Sequence, residues 1–196
     1  MSKLTLDDIA DVRAYESERG AFMAEIIALK KRRRISLGPI VTLMFENRDT
    51  IRFQVQEMAR VEKLATDAAI ENELEVYNPL IPGPGRLSAT LFLELTSDAQ
   101  LKEWLPKLVG IERSIEFRFA DGTVVSSGVD PAHEAQLTRE ETTAAVHYVD
   151  FALDAAAVDS LAAGGARLAV NHVEYEHEQT LSEETVKEFL GDLEAG

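Results

Sequence analysis

The sequence contains no cysteine. This absence excludes disulfide bonds, thiol nucleophiles, zinc ribbons and cysteine-ligated iron–sulfur clusters. A metal ion in this protein would have to be held by His, Asp, Glu or backbone oxygen. In any redox reaction, a different molecule would have to carry the thiols or clusters.

Long apolar runs are missing as well. No stretch approaches the roughly 20 apolar residues of a membrane helix. The first residues, MSKLTLDDIADVRAYE, carry acids where a signal peptide has its apolar segment. We therefore expect a cytoplasmic protein with no membrane partner.

The common catalytic signatures are also missing. The sequence has no phosphate-binding loop, no nucleophile elbow, no His-Glu-x-x-His and no dinucleotide fingerprint. The absence of these motifs argues against the familiar hydrolase and transferase classes. A site assembled from distant residues leaves no such trace, so the sequence does not decide whether the protein is an enzyme.

Positive charge is scarce beyond the first helix. The formal net charge is −15, and residues 35–196 contain 12 bases against 29 acids. Such a field repels nucleic acid, so we expect no nucleic-acid partner. The single basic cluster, residues 30–34, complements the dipole of a helix C-terminus. Alternatively it binds a phosphate-bearing ligand or an acidic partner, such as the tail of a second copy, which leaves a homo-oligomer open.

The length and the balance of 45% hydrophobic and 28% charged residues predict a single globular domain over residues 1–196. Apolar residues spaced by three and four predict a long helix from about Leu6 to Arg34. Further helices are predicted over 49–64 and 66–77. These helices precede alternating strand patterns, which favours an α+β fold over a doubly wound parallel sheet.

The second half predicts a mainly antiparallel or mixed sheet of about five or six strands with short flanking helices. The clearest hairpin turns at Asp121-Gly122. Residues 131–141 are predicted as a short helix or loop. Strands are predicted over 35–45 (two short pieces or a bent edge strand), 86–95, 114–119, 123–127, 145–153 and 166–175, and helices over 97–108 and 154–163 and after Ser182.

The stretch FENRDTIRFQVQEMARVE, residues 45–62, is unusually rich in polar groups. On a helix, Glu57 and Arg60 lie three apart and support each other. One interpretation is a structural network of ion pairs. The other is a polar pocket, shared with an Arg that interrupts the apolar stripe of the first helix and needs a carboxylate. The predicted pocket residues are Arg19, Glu46, Gln54, Glu57 and Arg60.

Two histidines lie on separate predicted strands. His147 shares a strand face with Val149 and Phe151, while His172, Glu174 and Glu176 share a face if their strand continues. Two histidines and a carboxylate are a ligand set for iron, manganese or zinc. The alternative is a core His147 whose hydrogen bonds are satisfied and a solvent-exposed HVEYEHE segment.

Several runs resemble one known family. They are LTLDDI, IIALKKRRRISLGP, FENRDTIRFQVQEMARVE, YNPLIPGPGRLSATLFLE, AVHYVDF and NHVEYEHE, between positions 4 and 178. Together they resemble the bacterial domain-of-unknown-function family 3501 (DUF3501). The family pattern has Asp before and Pro after the histidine at position 172, where this chain has Asn171 and Val173, so a carboxylate that could orient His172 is missing.

The resemblance implies an uncharacterised bacterial protein, since the family has no established activity. Its members are often encoded beside rubrerythrin-like and iron–sulfur oxidoreductase genes, which suggests a link to oxidative stress. Our first hypothesis is accordingly an accessory protein that docks on a redox partner. The alternatives are a non-haem metalloprotein and a pocket enzyme or sensor for an anionic metabolite, with Arg19, Arg52 and Arg60 as the clamp.

Overall fold

A computed structural model describes residues 1–129, 138–139 and 142–194 of the chain, so most of the predicted helix or loop over 131–141 lies outside the described residues. Helices dominate the first half and flank the strands of the second, as predicted. Within the described residues the α-helices are α1 (Val12–Arg33), α2 (Arg48–Val61), α3 (Asp67–Tyr77), α4 (Asp98–Lys107), α5 (Ala155–Ala162) and α6 (Glu183–Glu194).

The first helix starts later than predicted. Residues Leu6–Asp8 form one 3-10 turn, because the Asp8 carboxylate folds back to accept from the Thr5 N–H at 2.8 Å. The α-helix begins after Asp11, whose side chain caps it by accepting from the N–H groups of Arg13 and Ala14. The starts of α2 and α3 agree with the prediction, with caps at Asn47 and Thr66.

In the described part of the chain, eight strands form two antiparallel four-stranded sheets, and two further strands form a two-residue pair. The α+β class and the antiparallel pairing are confirmed, and the strands are divided between two sheets of four where one sheet of about five or six was expected. The first sheet has the order β1-β2-β3-β8 and the second the order β10-β9-β4-β5. The strands are β1 (Arg34–Leu37), β2 (Val41–Glu46), β3 (Arg86–Leu93), β4 (Ile115–Arg118), β5 (Val124–Ser126), β6 (Thr138–Arg139), β7 (Thr142–Thr143), β8 (Val146–Ala152), β9 (Arg167–His172) and β10 (Tyr175–Thr180).

The prediction failed at one turn in particular. A single strand was predicted over 166–175, but β9 ends at His172 and β10 runs back along it from Tyr175. The residues between them, Val173 and Glu174, carry none of the Gly, Asn or Asp signals that mark tight hairpins. The predicted common face of His172, Glu174 and Glu176 therefore does not exist.

The inner faces of the two sheets enclose the main core. Phe45 of the first sheet lies 4.4 Å from Phe189 of α6, and Phe117 of the second sheet lies 4.8 Å from Phe151, measured between ring centroids. Alternate residues of β3 form its inward face, since Leu87, Ala89, Leu91 and Leu93 are buried. Burial of four phenylalanines contributes a large part of the hydrophobic stabilisation.

The sheets are also joined at their edges. Gly128, which follows β5, forms a bridge with Asp150 of β8. At the opposite edge, the Tyr175 hydroxyl donates to the Leu37 carbonyl at 2.7 Å and accepts from the Ile40 N–H at 3.0 Å. Hydrogen bonds therefore connect the two sheets at both of their edges.

Helices α1, α2 and α3 form a separate layer over the outer face of the first sheet. They pack through a second apolar cluster that includes Ile51, Val55 and Leu74. None of the helices in the described part of the chain has both the length and the apolar character that a membrane span requires. The space between this helical layer and the first sheet contains the candidate site.

Candidate functional site

The outer face of the first sheet is polar although helices cover part of it. Strand alternation places the side chains of Phe45, Leu87 and Phe151 inward and those of the adjacent residues outward. The pairing register then aligns the outward residues in rows across the strands. One row is Glu46, Ser88 and Asp150, and the next is Met44, Thr90 and Tyr148.

Two cavities adjoin on this face. Their volumes are about 260 and about 250 Å³, and they share Glu46, Leu80 and Tyr148 as lining residues. We call the two together the groove. Its first cavity is also lined by Pro79, Arg86, Ser88, Ala89, Val129, Val149 and Asp150, and its second by Lys30, Arg34, Met44, Thr50, Ile51, Gln54, Tyr77, Thr90, Phe92 and Val146.

Glu46 is half-buried at the junction of the two cavities. It is the last residue of β2 and directly precedes the Asn47 cap of α2, so both of its neighbouring elements fix its position. Its carboxylate accepts from the Thr50 hydroxyl at 2.6 Å and from the Thr90 hydroxyl at 2.9 Å. Helix and sheet therefore hold one carboxylate between them.

The Glu46 backbone is held from the other side. Its carbonyl accepts from the guanidinium of Arg33 at 3.3 Å, and the Phe45 carbonyl accepts from the same group at 3.0 Å. Arg33 is fully buried and forms ion pairs with Asp192 and Glu188 of α6. The last helix thus contributes to the placement of a residue in the groove.

Tyr148 lies beside Glu46 on the sheet face. Burial raises the pKa of its phenol, and the neighbouring Tyr77 and Glu46 raise it further. A neutral phenol and an adjacent carboxylate can together bind a ligand through donated and accepted hydrogen bonds. The apolar side chains of Met44 and Leu80 complete a wall of mixed character, which is typical of small-molecule sites.

The cations around the groove have partners of their own. Arg86 pairs with Asp150, and Arg34 pairs with Glu94 and lies over the Phe92 ring. The Lys30 ammonium lies 5.3 Å from the centroid of Phe53.

The predicted polar pocket is divided between two places. Glu46 and Gln54 line the groove, whereas Arg19, Glu57 and Arg60 meet at the interface of α1 and α2. There Glu57 accepts from Arg19 at 2.8 and 3.0 Å and from Arg60 at 3.1 Å. The structure therefore assembles two of the five predicted residues in a cavity and three in an ion-pair cluster.

This cluster has a fixed protonation pattern. Hydrogen bonds from Arg19, and then from Tyr15 and Arg60, lower the pKa of Glu57 to about 2. Burial and the bond to Glu57, 2.6 Å long, raise the pKa of the Tyr15 phenol. At physiological pH the carboxylate is ionised and the phenol is neutral. The carboxylate accepts hydrogen bonds from the phenol and from both arginines.

The predicted arginine clamp is not formed. Arg19 and Arg60 bind Glu57, and the third member, Arg52, donates to the Asp8 carbonyl at 2.8 Å and lies 5.1 Å from the Phe22 centroid. None of the three lines the groove, because each is drawn to an acceptor on the helical layer.

The structure does not bring the predicted metal ligands together. His147 is buried, with Nε2 2.9 Å from both the Thr143 hydroxyl and the Ala144 carbonyl. The other predicted histidine, His172, lies with Nε2 3.1 Å from the Val109 carbonyl, and its Nδ1 accepts from the Glu174 N–H at 3.2 Å. In the described ranges, no group of three His, Asp or Glu residues is placed to hold a metal ion.

His147 therefore resembles the core histidine of our alternative interpretation. Burial lowers the pKa of its imidazole, although the buried Glu112 carboxylate, 3.9 Å from Nδ1, opposes that shift. Its side chain faces the core between the sheets and not the groove.

Comparisons with known proteins identify the family. Residues 3–193 match the family described as "Protein of unknown function (DUF3501)". The chain belongs to the DUF3501 family. No curated protein is significantly similar to it. A crystal structure of a "novel protein of unknown function" from Burkholderia pseudomallei K96243 is 35% identical, covers 98% of this chain and 100% of that chain, and has a TM-score of 0.86.

The basic cluster of this DUF3501 protein is largely neutralised within the chain. Arg32 donates to Glu188 at 2.7 Å, and Arg33 pairs with Asp192 and Glu188. The last helix of this chain therefore supplies acidic partners to two of the five residues of the cluster.

Sequence reasoning missed the residues of the groove that come from β3 and β8. In RLSATLFLEL the apolar residues alternate with Ser88 and Thr90, which lie on the outward face of β3. Tyr148 and Asp150 lie on the face of β8 opposite to that of His147. A half-buried face with hydroxyls and acids at alternate positions was the signal that could have located the groove.

Proposed function

We propose that this DUF3501 protein is a cytoplasmic binding protein, a sensor or carrier, that holds a small polar molecule in the groove over its first sheet. The observation that carries the proposal is Glu46, fixed by hydroxyls of a helix and a strand at the junction of two cavities. Burying a polar group costs free energy unless it is hydrogen-bonded, and here two threonine hydroxyls meet part of that cost for one carboxylate.

The size and lining of the groove support a small ligand. Each cavity has about 250 Å³, close to the lower limit of typical ligand sites. The lining offers two carboxylates, three cations, two phenols, hydroxyls and an amide beside apolar side chains. This pattern suits recognition through a few directed hydrogen bonds with apolar contact elsewhere.

A panel of small metabolites, grouped as amines, amino acids, sugars, nucleosides and carboxylates, tests the proposal by thermal shift. A ligand that binds only the folded state raises the midpoint of unfolding. The variant Ser88→Phe fills the first cavity and should abolish the shift. The matched control Ser126→Phe places the same ring on the exposed strand β5 and should leave it unchanged.

Two results would count against the proposal. One is a panel in which no class stabilises the wild-type protein. The other is a stabilising ligand whose effect is the same in Ser88→Phe and in the wild-type protein, which would place binding elsewhere.

The earlier hypotheses remain as competing proposals. Docking on a redox or oxidative-stress partner rests on gene company, and it is tested by capture of partners from the native cell. Binding of iron, manganese or zinc by His147, His172 and Glu174 would require the strands to rearrange, since the ligands face different surroundings. Elemental analysis of protein purified without chelator decides that question.

A further inference from the structure

The charge balance in the groove indicates the chemistry of its ligand. We propose that the ligand carries an organic ammonium group, with the Glu46 carboxylate as its counter-ion. This proposal rests on the proposed binding function. The rings of Tyr77 and Tyr148 line the same cavity and add cation–π attraction.

Glu46 is the carboxylate of the groove that has only neutral partners. In the described part of the chain its oxygens accept from two threonine hydroxyls and form no ion pair. The other groove carboxylate, Asp150, is neutralised by Arg86. A half-buried carboxylate that has lost part of its water and has no cation gains most from a cationic ligand.

The nearby cations do not supply that charge. Arg34 is directed to Glu94, and the Lys30 ammonium lies over the Phe53 ring. The guanidinium of Arg33 reaches the Glu46 backbone carbonyl, but its charge is balanced by Asp192 and Glu188. The Glu46 carboxylate therefore keeps the capacity to accept further charged hydrogen bonds, since its two oxygens offer about four lone-pair sites.

Four probes of nearly equal shape test the charge alone. Two are cations at pH 7, 3,3-dimethylbutylamine and choline. The third is the neutral 3,3-dimethylbutan-1-ol, which is choline with carbon in place of nitrogen, and the fourth is the anionic 3,3-dimethylbutanoate. Each is titrated into ¹⁵N-labelled protein, and the amide shifts report both affinity and location. We expect the two cations to shift the amides of Glu46 and Tyr148.

The expected discrimination follows from the strength of charged contacts. A hydrogen bond or ion pair to a charged group is worth about 1.5–3 kcal/mol, which corresponds to roughly ten- to a hundredfold in affinity. The cations should bind at least about tenfold more tightly than the alcohol. Glu46→Gln, which keeps the shape and removes the charge, should cancel this preference. The control Glu103→Gln makes the same change on the exposed face of α4 and should keep it.

The outcomes separate this inference from the binding function. Four outcomes overturn the ammonium inference. The cation and the alcohol bind equally, or the anion binds more tightly than the cations. Alternatively, the cation preference survives in Glu46→Gln, or neither cation shifts the groove amides. In each case the metabolite panel with Ser88→Phe still decides whether the groove binds a small molecule of another class.

Discussion

Glu57 holds three side chains at the interface of α1 and α2, and Glu57→Gln removes the charge they share. The folded-state pKa of this carboxyl is about 2, against an ordinary value of 4.5. Because the folded pKa is depressed, the ionised carboxylate stabilises the protein above pH 4.5. That contribution is lost as the pH falls through the range from 4.5 towards 2.

The magnitude follows from the shift. Each unit of pKa corresponds to about 1.4 kcal/mol, so the full shift would give roughly 3 kcal/mol. The Glu57 and Arg19 side chains are 19% and 29% exposed, so solvent screens part of this energy. We expect Glu57→Gln to lower the free energy of unfolding at pH 7 by about 1–2 kcal/mol.

Urea denaturation at several pH values from 7 to 2.5 measures the effect. The wild-type protein and Glu57→Gln should differ most at pH 7, and their stabilities should converge as the pH approaches 2.5. Glu103→Gln, whose carboxylate is exposed and pairs with Lys107, serves as the control and should change stability by less than about 0.5 kcal/mol. A constant difference between wild type and Glu57→Gln at every pH would refute the assignment of the charge to this cluster.

Two further substitutions test the remaining polar contacts of the scaffold. Arg33→Met leaves the Asp192 carboxylate buried without its cation, so we expect a loss of about 3–5 kcal/mol in urea denaturation. A loss below about 1 kcal/mol would contradict the buried ion pair. Tyr175→Phe removes the hydroxyl that joins the edges of the two sheets and should cost about 1–3 kcal/mol. Unchanged stability in that variant would mean that the edges are held by other contacts.

Local signals in the sequence predicted most helices and strands. Thr66, Ser97 and Asp154 each precede an apolar pattern, and each caps a helix in the structure. The Asp121-Gly122 turn joins β4 and β5 as expected. These features depend on neighbours within a few residues, so the sequence displays them directly.

The features that the sequence did not display depend on distant pairs. The division into two sheets follows from the pairing of β3 with β8 and of β4 with β9. The reversal after His172, which adds β10 to the second sheet, lacks the usual turn residues. The choice of Glu57 as the partner of Arg19, 38 positions away, depends on how α1 and α2 cross. The two carboxylates on α2, Asp49 and Glu57, and the neighbouring Glu46 were chemically equivalent candidates, so the ion-pair cluster and the groove could not be separated by pattern alone.

The groove shows the same limit. Glu46 was a candidate from its place in a polar stretch, but its neighbours Ser88 and Tyr148 come from strands far along the chain. Only the register of β2, β3 and β8 brings them into one row or the next. Sequence reasoning therefore found two residues of the site, Glu46 and Gln54, and not the site.

The most direct test of the central claim is the dissociation constant of the strongest stabilising metabolite, measured by isothermal titration with wild-type protein, Ser88→Phe and Ser126→Phe. The account predicts one site per chain in the wild type, the same affinity in Ser126→Phe, and a loss of at least about tenfold in Ser88→Phe, equivalent to about 1.4 kcal/mol. Equal affinities in all three proteins would contradict the placement of the ligand in the groove.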